Sequence, residues 1–316
     1  MARVDVTQRF YEALRLQFLI GAVKIERVVS WAKKVLEVER EAAIGDPWAQ
    51  YEVRARRLST DLDGRPRTAA PTAYDRLVAE YAALEAGLWV AGQKGKEVPA
   101  ERVERRSALA RELFSSTISA LEQGGPAAPG DPDPVEAPYL ASIRWLEADR
   151  DLDERRYVQA LEKHLERALR LEGAARLRRG KGTLARPSAL PAAESFRWEA
   201  EVYVASSRSG GAPGRKQAFL DHWVESASVA HETTLGEFRE RKADVEDVHL
   251  ASLRLFDAER ARGSDLRSHE ALLARTQRLE RELRQRDDCP LGLAPGALEC
   301  FKLDAEARLA KARVST

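Results

Sequence analysis

The stretch Tyr157–Arg208, YVQALEKHLERALRLEGAARLRRGKGTLARPSALPAAESFRWEAEVYVASSR, decides the fold. On its first arm Tyr157, Leu161, Leu165, Ala168, Leu171 and Ala175 recur at three- and four-residue spacing, and on the second arm Ala193, Phe196, Ala200 and Tyr203 do the same. Such spacing puts each set on one stripe of a helix and could not be kept by a strand. Between the arms, Gly180, Gly182, Pro187 and Pro191 mark a turn. The stretch therefore predicts two long helices folded back on each other.

The same rhythm runs outward in both directions. From Phe10 through Leu14, Phe18, Gly21, Ile25, Val28, Ala32 and Val35 the apolar positions step by three or four, which predicts one long helix reaching Ala43 before the stop at Gly45-Asp46-Pro47. A second arm follows to Leu62. Helices over 73–90 and 100–121 flank Gly92-Gln93-Lys94-Gly95 and Pro99. A further pair spans 216–261, with a weak tip near Ala243-Asp244, and a last pair turns at 289–296. The expectation is an all-α chain of about five antiparallel helical pairs packed like coiled coils. Residues 124–138 are so rich in Pro and Gly that they read as a linker. The chain is thus expected to divide into 1–123, the linker 124–138, and 139–316.

An internal repeat is expected within the last part. Glu194-Ser195-Phe196-Arg197-Trp198-Glu199-Ala200-Glu201 matches Glu299-Cys300-Phe301-Lys302-Leu303-Asp304-Ala305-Glu306 by residue type, Arg208 matches Arg313, and HLERALRLE (164–172) matches LLARTQRLE (272–280). Segments 157–208 and 266–313 then read as two copies of one hairpin.

Composition narrows the function classes. Of the 316 residues 33% are charged, yet Lys+Arg of 52 against Asp+Glu of 51 leaves a net charge of +1, so no global field draws in nucleic acid or an anionic membrane. Interleaved runs such as Glu101-Arg102-Val103-Glu104-Arg105-Arg106 support helix surfaces through pairs one turn apart. Cys289 and Cys300 are too few for a disulfide framework or a zinc site; they read either as free thiols or as a bridge across the last tip. No run approaches the ~18 apolar residues of a membrane span, and the opening MARVDVTQRFYEAL lacks the order of a signal peptide. The expected location is cytoplasmic, or the cell envelope if an upstream signal has been removed.

Two places resemble the long helical arms of TolC-type outer-membrane efflux proteins. One is DVTQRFYEALRLQ with AKKVLEVEREAAIGD and YEVRARRL; the other is ALEKHLERALRLE, a Gly turn, and FRWEAEVYVA. The resemblance implies the helical-hairpin body of that family. It does not extend to a membrane β-barrel, because the segments between helical pairs at 63–72, 124–138 and 209–214 are short and Pro/Gly-rich, without period-two strands.

Candidate sites are few. Gly180-Lys181-Gly182-Thr183 lacks the spacing of a phosphate loop, and Gly92–Gly95 echoes a nucleic-acid-clamping GxxG loop without the sheet that such a fold needs. Glu246 and His249, in Glu246-Asp247-Val248-His249, form an E-x-x-H that places a carboxylate and an imidazole on one helix face, as in ferritin-like di-iron bundles, but no second such motif accompanies it. His222 and His231 are too far apart to chelate from one face, and His164 and His269 read as surface or boundary residues. No Ser/His/Asp or Cys/His grouping carries a catalytic signature, so no catalytic residue and no cofactor is expected. Phe10, Tyr11, Phe18, Trp31, Phe196, Trp198, Tyr203, Phe219, Trp223 and Phe256 fall on helical stripes and read as core. The reading is a non-catalytic helical scaffold working through a protein partner or self-association. The other two readings are a part of an envelope export system and a metal-binding bundle using Glu246 and His249.

Overall fold

The computed structural model describes residues 2–66, 68, 70–123, 134–153, 157–208, 213–263, 265–285 and 294–315. Among the described residues there are twelve α-helices and no strand. The first six are α1 (Ala2–Leu19), α2 (Ile25–Glu41), α3 (Pro47–Asp63), α4 (Ala73–Gln93), α5 (Ala100–Gln123) and α6 (Glu136–Leu152). The others are α7 (Tyr157–Gly180), α8 (Ala189–Ser207), α9 (Pro213–Arg239), α10 (Val245–Ala261), α11 (Asp265–Arg284) and α12 (Ala294–Ser315). None is long and apolar enough to cross a membrane.

The long first helix expected from the apolar stripe is two helices. α1 ends in a Schellman turn in which the Gly21 N–H bonds to the Phe18 carbonyl at 2.9 Å and the Ala22 N–H to the Gln17 carbonyl at 2.9 Å. Gly21 has φ 79°, where an L side chain is strained, so glycine here reverses the chain. The stripe ran through it undisturbed because α1 and α2 bury Phe18, Leu14, Ile25 and Val28 in one core. The weak tip near Ala243 is a real reversal of the same form, with Arg241 at φ 65° and bonds from Arg241 N–H to Phe238 O and Lys242 N–H to Glu237 O. Asp244 then caps α10, accepting from the Glu246 and Asp247 amides while Asp247 accepts from the Asp244 amide.

The helices gather into two compact units, Met1–Tyr157 and Val158–Thr316. The division falls after α6, whereas the sequence expectation put it at 124–138; α6 packs against α5 within the first unit, and residues 124–133 of the expected linker lie outside the described residues. In that unit each helix packs on the next, and α2 also packs on α4. Tyr51, Leu58, Val78, Leu109 and Ile118 fill the interior.

In the second unit Trp223 is buried among Val202, Leu220 and Leu255, and Phe256 among Leu272 and Ala305. α7 and α8 run antiparallel: Glu162 pairs with Arg208, Glu172 with Arg197 and Arg176 with Glu194, each at 2.6 Å, the second partner falling in number as the first rises. α11 and α12 do the same through Glu270–Arg313 at 3.7 Å and Glu280–Lys302 at 3.3 Å. On the second arm of the hairpin Val204 is buried and Tyr203 is exposed, the reverse of the expected stripe end.

Candidate functional site

The densest group of buried charges lies in the first unit and was not singled out from sequence. α4 places Tyr74, Tyr81 and Glu85 on one face by seven- and four-residue steps. α2 contributes Glu26 and Lys33, α3 Tyr51, α5 Arg106, and α6 Arg144, Glu147 and Asp151. Glu85 is 0% exposed and Arg106 1%.

Every charge in this group meets a partner. Lys33 Nζ lies 2.7 Å from Glu85 Oε2, which also accepts from the Tyr51 hydroxyl at 3.2 Å. Arg106 reaches Glu85 Oε1 at 3.5 Å, donates from Nε to the Tyr81 hydroxyl at 3.1 Å, and donates to Asp151 at 2.5 Å. Arg144 grips Glu26 with two bonds of 2.8 and 2.5 Å, and the Tyr74 hydroxyl donates to the same carboxylate. The Tyr81 hydroxyl donates to the Arg144 carbonyl at 3.2 Å. One connected set of contacts thus spans α2 to α6.

The electrostatics follow from this pairing. Burial pushes the Glu85 carboxyl up, but Lys33 and Arg106 outweigh it and hold the group below the usual carboxylate range. Glu26 follows the same pattern, with Arg144 and the Tyr74 hydroxyl overcoming burial. Burial and the Glu85 charge raise Tyr51 and Tyr81, which stay protonated donors. Glu147 differs: burial, with the nearby Glu85 charge, raises it despite Lys33 and Arg106. Its side chain is 39% exposed and its carboxylate lies 3.8 Å from Arg106. Arg106 and Arg144 lose to burial but gain more from their tyrosine and carboxylate neighbours, so both stay charged. Chemically the group can fix helix register: Glu85, Glu26, Arg106 and Arg144 are bonded to one another and to the tyrosines, while Glu147 stands at its part-exposed edge.

The sequence-based candidates are dispersed. Glu246 lies in the first turn of α10, and His249, one turn on, stacks on Phe301 with ring centroids 3.5 Å apart. Among the described residues no group of three or more His, Cys, Asp or Glu side chains could hold a metal ion. His222 is stacked on Trp198 and exposed, while His231 faces the interior. His164 is 0% exposed, which corrects its reading as a surface or boundary residue, while His269, at 9%, sits at the edge of the interior. Gly180–Thr183 forms the end of α7, with Gly182 at φ 67°, and Gly92–Gly95 the end of α4. Cys300 is buried, and Cys289 lies outside the described residues. At the tip of α11 and α12 a groove of about 440 Å³ is lined by Leu283, Pro295 and Leu298, with Glu280 and Lys302 paired across it.

No family model, curated protein or solved structure matches this chain.

Proposed function

We propose that the chain is a non-catalytic helical scaffold that works through protein contacts or self-association, its body made of hairpins like those of TolC-type arms. The saturated network around Glu85 carries this reading. Reaction centres keep a nucleophile, base or open coordination position facing substrate, whereas Glu85 spends both oxygens on Lys33, Tyr51 and Arg106. Leu16 on α1 and Ile20 in the turn just after it, both exposed, offer apolar contacts to a partner.

The hairpins α7/α8 and α11/α12 are, in this reading, copies of one unit. Equivalence by sequence pairs Glu172 with Glu280, Arg197 with Lys302 and Arg208 with Arg313; carrying the first-arm offset back pairs Glu162 with Glu270. The ion pairs support it: Glu172–Arg197 corresponds to Glu280–Lys302, and Glu162–Arg208 to Glu270–Arg313. Phe196 and Phe301 are both buried at matching places.

The test is metal analysis of the purified full chain, together with light scattering over a wide concentration range and with candidate partners. Metal-free protein that assembles with itself or a partner is the expected result. Stoichiometric bound iron or zinc, lost on replacing His249 by Gln, would instead establish the metal-binding reading.

A further inference from the structure

All five histidines, at 164, 222, 231, 249 and 269, belong to the second unit, and four of them are buried. His231 has the most telling surroundings. On α9 it is 2% exposed, with Nδ1 3.3 Å from the Glu232 carboxylate. From α11 it faces Arg275 and Arg278. Arg278 is bound to Glu232 at 2.8 and 3.2 Å, and Arg275 to Glu259 of α10 at 3.0 and 3.1 Å. An imidazolium here would be a buried cation beside two guanidiniums, the largely buried Arg275 and the part-exposed Arg278, whose carboxylates are already engaged.

The first unit contains a related cluster in which a tyrosine stands at the place of His231, and Arg15 with Asp61 replaces Arg278. α1 and α9 end in the same turn, Phe18 corresponding to Phe238 and Gly21 to Arg241, and this register places Tyr11 at the position of His231, Glu12 at Glu232 and Glu39 at Glu259. Arg54 of α3 binds Glu39 at 3.1 and 2.6 Å as Arg275 of α11 binds Glu259. Tyr11 is equally buried and lies among Glu12, Arg54, Arg15 and Asp61. A phenol there does not change charge in acid.

We propose that the α9–α11 seam is an acid-operated switch: protonation of His231 opens this part of the second unit, while the α1–α3 cluster, with Tyr11 at the same place, stays closed. The inference is independent of what the scaffold binds. Burial, more than the two arginines, holds the imidazole at about 4 against an ordinary 6.5, although Glu232 pulls the other way. The folded value is depressed, so the closed state is fully favoured above about 6.5 and loses ground as pH falls from there towards about 4. Over that window the unfolded or opened form binds the extra proton. One histidine changes the opening equilibrium ~10-fold per pH unit.

The experiment is hydrogen exchange by mass spectrometry on the full chain from about pH 7.5 to about pH 4.5, corrected for intrinsic rates and read separately for α1–α3 and α9–α11. Protection in α9–α11 should fall with acid while that in α1–α3 holds. His231→Tyr should reduce the α9–α11 slope by one proton, ~10-fold per pH unit, and Tyr11→His should add the same slope to α1–α3. Equal pH dependence in the two regions of the unaltered chain, or an unchanged slope in His231→Tyr, would overturn the proposal. Should either variant fail to fold, the His231 ring resonances of the unaltered chain decide: they should stay neutral down to about 4, and a midpoint near 6.5 would overturn it.

Discussion

Arg241 and Ala43 occupy the left-handed backbone region, at φ 65° and 52°, in turns of the kind that Gly21, Gly95 and Gly182 make without a side chain. An L residue costs roughly 1 kcal/mol there. Arg241→Gly should therefore stabilise the second unit by about 0.5–1 kcal/mol, read as a higher urea midpoint. Gly182→Ala should destabilise by a similar amount, because a Cβ at Gly182 would meet nothing within 4 Å and only the backbone term remains. Equal midpoints for both variants would contradict this account of the turns. The same residues explain what was legible in sequence. Gly182 marked its turn, but Gly21 sat on an apolar stripe that two antiparallel helices share, and periodicity does not record a reversal of direction. At Arg241 no glycine announced the tip; the available signal was Asp244 with Asp247, an acidic capping box three residues wide.

Helix pairing is set by side chains of unequal burial. Glu172 is 9% exposed in its side chain and bonds to Arg197 and Arg176, while Glu162 and Arg208 stand largely in solvent. A double-mutant cycle on Glu172 and Arg197 should give a coupling of about 1 kcal/mol, and one on Glu162 and Arg208 a value within about 0.5 kcal/mol of zero. The reverse order would contradict the antiparallel ladder as drawn. Burial of His164 was readable at this level: it lies three residues after Leu161 and four before Ala168, on the buried stripe itself. Residue type argued for a boundary position, whereas spacing argued for the core, and spacing prevailed. The Glu85 network left no such trace. Its members come from five helices, and nothing local in Glu85, Arg106 or Arg144 distinguishes them from the many Glu and Arg residues on solvated faces. Only tertiary packing sorts them.

At the scale of the whole molecule the two units rest on different interiors. Trp31, Trp48, Trp89 and Trp145 report on the first, and Trp198 and Trp223 on the second. The all-helical fold itself predicts a far-ultraviolet circular dichroism spectrum without an appreciable strand component. The central claim is that the Glu85 network holds five helices in register and is not a reaction centre. Groups kept for chemistry are commonly held at a cost in stability, so neutralising one leaves a protein as stable or more so. A charge kept for structure behaves oppositely: Glu85→Gln takes a carboxylate from part-exposed Lys33 and from buried Arg106, which keeps Asp151, at a cost of about 3 kcal/mol. The direct measurement is equilibrium unfolding of Glu85→Gln in the full chain, followed by unit-resolved hydrogen exchange. A first-unit transition lowered by several kcal/mol, with the second unit unchanged, is the predicted result; an unchanged or raised first-unit transition would contradict it.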